Sequence, residues 1–130
     1  LQKMNLMRVG IILLLFITLL TSVQQSDIKL PLYITDIKIT DNGQLLMACK
    51  GDKTLKLYDT DGKQLIRSWC LEETPTGVEI WNGKALVTCF DTEGTLLVID
   101  LQSENHIRKI FAVHGAIAPV VNKEQNKVYI

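Results

Sequence analysis

Residues 76–101 read TGVEIWNGKALVTCFDTEGTLLVIDL. Val78 and Ile80 alternate with polar neighbours, Asn82-Gly83 interrupts, and Ala85-Leu86-Val87 resumes the apolar run. Asp91-Thr92-Glu93-Gly94 breaks it again before Leu96-Leu97-Val98-Ile99, which Asp100 closes. Short β-rich runs separated by glycine-bearing turns are the signature of hairpins, because Asn-Gly and Asp-Gly tolerate the positive φ that tight turns demand.

The pattern recurs on either side. Ile37 to Asp59 is an earlier copy, and a third begins near Pro119. Gly43 and Gly83 lie 40 positions apart, and Asp59 and Asp100 lie 41 apart. A period in the low forties with several strands per period predicts the blades of a β-propeller. The expected fold is all-β, with antiparallel four-stranded blades behind an N-terminal signal helix. Blade 1 is expected over 34–71, from strands 34–40, 44–50, 54–59 and 64–71. Blade 2 is expected over 77–113, from strands 77–81, 84–90, 95–101 and 106–113. Pro75 is placed just ahead of a strand, where it removes no ladder bond. The start of blade 3 is expected over 117–130, with strands at 117–123 and 127–130 around a turn at 124–126.

Each blade needs neighbours to bury its faces, and closed propellers have about four to eight blades. Two blades and part of a third cannot close a ring. The expectation is therefore the N-terminal piece of a longer protein, in which 27–32 adds a strand to the last blade.

Lys3 and Arg8 precede an apolar run from Val9 to Leu20, after which Thr21 to Ser26 turns polar. That is the layout of a secretory signal peptide over 1–26. The run falls short of the ~20 apolar residues of a spanning helix, so an uncleaved anchor is the second reading and a buried core helix the third. Ser22, Gln25 and Ser26 are the candidate cleavage positions. The propeller domain is expected over 27–130, and the localisation periplasmic or extracellular.

Beyond the signal segment there are twelve basic residues against fourteen acidic ones, a formal charge of −2. No basic footprint for nucleic acid or an anionic membrane results; membrane contact is expected only through an uncleaved signal segment. Cys49 and Cys89 occupy matching places, six residues after Gly43 and Gly83. Equivalent strands of stacked sheets lie about 10 Å apart, beyond disulfide reach. Cys49 and Cys89 are accordingly read as small buried hydrophobes, and the odd count, with Cys70, leaves at least one cysteine free or paired outside the chain.

With the repeats laid out, the chain resembles the YVTN-type, YncE-like β-propellers, an exported seven-bladed family. Their repeat runs P-x-G-V-A, a turn, Y-V-T-N, a Gly-rich turn, then T-V-S-V-I-D and T-G-K. Pro75-Thr76-Gly77-Val78 matches the start, and Gly94-Thr95-Leu96-Leu97-Val98-Ile99-Asp100 the second half. Thr54-Leu55-Lys56-Leu57-Tyr58-Asp59 with Asp61-Gly62-Lys63 does so in the first copy. Leu86-Val87-Thr88-Cys89 and Leu46-Met47-Ala48-Cys49 stand where Y-V-T-N would be, and Tyr129-Ile130 opens the third copy. No copy carries the full Y-V-T-N, and the first lacks P-x-G-V. WD-repeat propellers are the nearest rivals, although no Gly-His…Trp-Asp pair occurs, and NHL-type propellers remain a further alternative.

No catalytic set, metal-ligand spacing or phosphate-cradling loop stands out. His106 and His114 are read as exposed turn residues rather than ligands. Trp69 and Trp81 are read as packing between blades or at strand ends, with a ligand-lining role as the alternative. Asp59 and Asp100 are read as turn caps. Asp91 and Glu93 could contribute to a calcium loop, but a turn with two carboxylates is weak evidence for such a site. The leading functional expectation is a binding or scaffold module with a protein or glycan ligand on a rigid ring. The alternatives are a haem- or quinone-dependent redox protein, signalled by a CxxCH beyond Ile130, and a surface-layer or adhesion protein. No cofactor is expected from these residues; a haem would need the part beyond Ile130.

Overall fold

The computed structural model describes residues 33–90, 93–104, 107–112 and 114–130. The signal segment expected over 1–26, the strand expected at 27–32, Asp91 and His106 lie outside the described residues. The described part is all-β. Four strands form the first sheet: β1 (Ile34–Ile39), β2 (Leu45–Cys49), β3 (Thr54–Tyr58) and β4 (Leu65–Cys70). Four more form the second: β5 (Pro75–Trp81), β6 (Lys84–Cys89), β7 (Thr95–Asp100) and β8 (Ile107–Phe111). A hairpin of β9 (Val120–Asn122) and β10 (Lys127–Tyr129) follows. Both large sheets are antiparallel meanders, ordered β1-β2-β3-β4 and β5-β6-β7-β8.

Turn chemistry sets the registers. Trp81 pairs with Lys84 across the two-residue turn Asn82-Gly83, whose φ values of 50° and 71° are those of a type I′ hairpin. The matching turn in the first sheet is one residue longer, and Gly43 (φ 79°) closes it by donating its N–H to Thr40 O at 2.8 Å. After β3 the Asp59 carboxylate accepts the N–H groups of Lys63 (2.7 Å) and Gln64 (3.1 Å). After β7, Asp100 accepts from Gln102 N at 2.9 Å. Both aspartates cap turns, as side chains that rival the backbone as acceptors do.

One core joins the two large sheets. Leu46, Ala48, Leu55, Leu57 and Trp69 come from the first, and Val78, Ala85, Val87, Cys89, Leu97 and Ile99 from the second. The register explains this face. Leu46 lies opposite Leu57 and Ala48 opposite Leu55, while Ala85 lies opposite Ile99 and Val87 opposite Leu97. The other face of the first sheet holds a smaller cluster of Met47, Cys49 and Tyr58. Two bonds from β4 tie the sheets at their outer side: Arg67 Nη1 donates to Leu101 O at 2.7 Å and Trp69 Nε1 to Ser103 O at 3.0 Å.

The inner strands β1, β5 and β9 lie side by side, joined by a repeated contact. Thr35 Oγ1 donates to Pro75 O at 3.3 Å, and Thr76 Oγ1 to Ala116 O at 3.1 Å. Donor and acceptor each move on by 41 positions. Asp36 then reaches across to accept Val78 N–H at 3.0 Å. The equivalent residue 41 positions later is Gly77, and the chain comes closer there. A Cβ on Gly77 would stand 2.6 Å from Ile117 O.

Several expected boundaries move. The strand ends contract by a residue at many places because turn residues such as Thr40 and Asp59 spend their N–H groups on turn closure. Pro75 is the first residue of β5 rather than a linker residue, opposite Cys89; a first-residue proline costs no ladder bond either. The strand expected at 117–123 is confined to Val120–Asn122. Upstream of it, the carbonyls of Ala116 and Ile117 are taken by Thr76 and Thr88 of the second sheet.

Candidate functional site

The hairpin turns β1–β2, β5–β6 and β9–β10 all emerge at one end of the three sheets and enclose a cleft. It has a volume of about 300 Å³ and is lined by Ile39, Asp41, Glu79, Ile80, Trp81, Asn82, Lys123 and Asn126. A smaller chamber of about 180 Å³ shares Asp41 and Ile80 with it and runs between the two large sheets toward Leu101 and Gln102. Each lining residue is placed by an end of regular structure. Trp81 is the last residue of β5, and Asn82 (φ 50°) and Asn126 (φ 54°) hold left-handed turn positions, which asparagine tolerates.

The floor is polar and ordered. Glu79 Oε2 pairs with Lys38 Nζ at 3.5 Å, a bridge from β5 to β1, and Glu79 Oε1 accepts Ile80 N–H at 2.9 Å. Asp41 and Lys123 are exposed at the rim, and Trp81 is half-buried. The cleft thus offers an indole, carboxylates, amide groups and an ammonium within one concavity.

A second cavity, of about 230 Å³, lies between the outer strands and is lined by Cys70, Leu71, Glu72, Glu73, Leu97, Ile107 and Lys109. Glu73 is buried there and Lys109 bonds to its Oε1; Oε2 is buried without a hydrogen-bond partner. Burial pushes the Glu73 carboxyl up, but the bond from Lys109 outweighs it and holds the group below the ordinary carboxylate range. Asp52 behaves in the same way: burial raises it, and the bonds from Lys56 and Thr54 bring it below its usual value.

The residues singled out from sequence separate. Trp81 ends β5 and lines the turn-end cleft, whereas Trp69 is a core residue at 2% exposure. Asp59 and Asp100 are turn caps distant in role from the cleft. His114 is exposed beside Gly115, and Glu93 is exposed. All three cysteines are thiols. Cys49 and Cys89 are buried as expected, and burial raises the Cys49 thiol. Cys70 is exposed, because alternation on the outer strand β4 turns it away from the face that holds Trp69. Among the described residues no group of three or more His, Cys, Asp or Glu side chains is placed to hold a metal ion. Nor does any described helix have the length and apolarity to cross a membrane.

Sequence reasoning missed Asp41, Glu79, Lys123 and Asn126 as neighbours of Trp81. The available signal was positional: all lie at or beside the first turn of a repeat. No family model matches the chain, and no curated protein matches it.

Proposed function

We propose that the chain is the repeat-bearing part of an exported β-propeller, and that it acts as a binding module through the turn-end cleft. The propeller reading draws support from the recurrence of one packing step. The same threonine-to-carbonyl bond joins the first sheet to the second and the second to the third segment, displaced by 41 residues. A step that repeats between successive four-stranded meanders generates a ring or an arc of blades. The YVTN-type resemblance supports the same reading and, through the apolar run 9–20, export.

The observation that carries the binding role is the cleft itself. Three consecutive repeats contribute turns to one concavity, with Trp81 among its lining residues. Ligand sites are characteristically concave, with a few placed polar groups on a rigid scaffold. The experiment is a screen of immobilised glycans and peptides against the chain and against a Trp81→Ala variant. A binder that the variant loses is the expected outcome. If every binder is held equally by the variant, the cleft is not the site and the reading fails.

A further inference from the structure

We infer that the far face of the second sheet, together with the outer edge of β10, docks a β-hairpin, and that Arg108 clamps the turn of that hairpin. The inference rests on the repeating step between sheets and not on the cleft. The observed interface between the two large sheets is its ground. Leu46, Ala48, Leu55, Leu57 and Trp69 form the face of the first sheet that the second sheet covers. At the matching register positions the second sheet carries Leu86, Thr88, Leu96, Val98 and Ile110. This second face is closed near β6 and open at β8. Leu86 is buried, whereas Ile110 is 38% exposed where its counterpart Trp69 is 2% exposed.

Arg108 identifies the partner. Arg67 lies opposite Leu57, and Arg108 lies opposite Val98, each 41 positions further on. Arg67 Nη1 donates to Leu101 O and Trp69 Nε1 to Ser103 O. Both acceptors lie in the connection between β7 and β8, the third and fourth strands of the next sheet. Arg108 is exposed, and its guanidinium takes part in no ion pair or hydrogen bond among the described residues. The acceptor that fits it is a carbonyl in a turn between two strands, which a hairpin presents.

The third segment offers the place. Among the described residues β10 has a strand neighbour on one side only, β9. Asn126-Lys127-Val128-Tyr129 stands where Gly83-Lys84-Ala85-Leu86 leads into β6, and the other neighbour of β6 is β7. An unpaired edge beside an open apolar face is a template for added strands: main-chain bonds give affinity and the face selects side chains.

The test uses the full chain labelled with nitrogen-15 and an unlabelled synthetic peptide of residues 95–111, blocked at both ends. On its native sheet this stretch turns Leu97 and Ile99 toward the face of the first sheet that it covers. The same residues in scrambled order are the control. The expected result is a saturable change at the amides of Lys127–Tyr129 and Ile110 with the repeat peptide alone. Arg108→Ala should weaken binding by roughly tenfold, the loss of a hydrogen bond from a charged group. If nothing saturates at these positions, the docking face is overturned, while the cleft reading is decided separately through Trp81. Binding that Arg108→Ala leaves unchanged overturns the clamp. Changes in β7 and β8 that leave Lys127–Tyr129 untouched show exchange of the peptide with its own strands, and overturn the assignment. Self-association of the chain alone in sedimentation, with Ile110 protected from amide exchange, overturns it in favour of a second copy.

Discussion

Thr35 and Thr76 stand 41 positions apart and donate the same bond to a backbone carbonyl of the next repeat. Thr76 is the better shielded of the two, and its hydroxyl also lies 3.0 Å from Thr88 O. Thr76→Val keeps the shape and removes the donor, so carbonyls in a part-buried site lose a partner. The expected cost is about 1–2 kcal/mol, read as a lower urea midpoint, with a smaller loss for Thr35→Val because solvent reaches that site. Glu73 supports a prediction of a different kind. Its folded carboxyl is held below the ordinary value of 4.5, so its stabilising contribution is present above that value and is lost as pH falls through the lower folded one. The gap in urea midpoint between wild type and Glu73→Gln should be open at pH 7 and close on acidification below about 4.5. A gap that persists unchanged into acid would mean that Glu73 acts through packing alone.

At the scale of strands and turns, two glycines separate two causes. Gly83 has φ +71° and open space around it, whereas a Cβ on Gly77 would meet Ile117 O at 2.6 Å and Ala118 Cα at 2.8 Å. Gly83→Ala should cost about 1 kcal/mol through backbone conformation and loosen the β5–β6 hairpin. Gly77→Ala forces backbone apart and should cost about 1–3 kcal/mol, with faster amide exchange confined to Val120–Tyr129. Exchange that quickens throughout the second sheet instead would refute the assigned cause. These elements were also where the sequence was most legible. Asn-Gly and Asp-Gly turns with β-rich runs between them have one economical solution, and the ten strands expected within 34–130 are present with shifted ends. What escaped was anything that depends on the next sheet. Gly77 reads as part of P-x-G-V, but its physical reason, the approach of Ile117, lies 40 positions away. The cleft escaped for the same cause: Asp41, Trp81 and Lys123 come from three repeats, and no local pattern in any one of them encodes the concavity.

On the scale of the whole molecule, the question is whether the two meanders are separate folding units. Each has its own local turns and could propagate as a repeat does. Yet the main core takes Leu55 and Trp69 from one sheet and Val87 and Ile99 from the other, and the bonds from Arg67 and Trp69 cross the same boundary. The faces turned away from this boundary are less well covered: Ile37 is 45% exposed and Ile39 69% exposed on the first sheet, and Ile110 38% exposed on the second. The larger of the two buried clusters is therefore shared between the sheets. A cavity on one side of that shared core should destabilise both. Leu55 is fully buried, and Leu55→Ala should cost about 2–5 kcal/mol. The measurement is a urea titration followed at once by Trp69 fluorescence, which reports the boundary, and by amide exchange along β6 and β7, which reports the second sheet. Both probes should move to the same lower midpoint, as one cooperative unit requires. If β6 and β7 retain the wild-type midpoint while Trp69 is released early, the sheets fold independently, and the shared core contributes docking rather than stability.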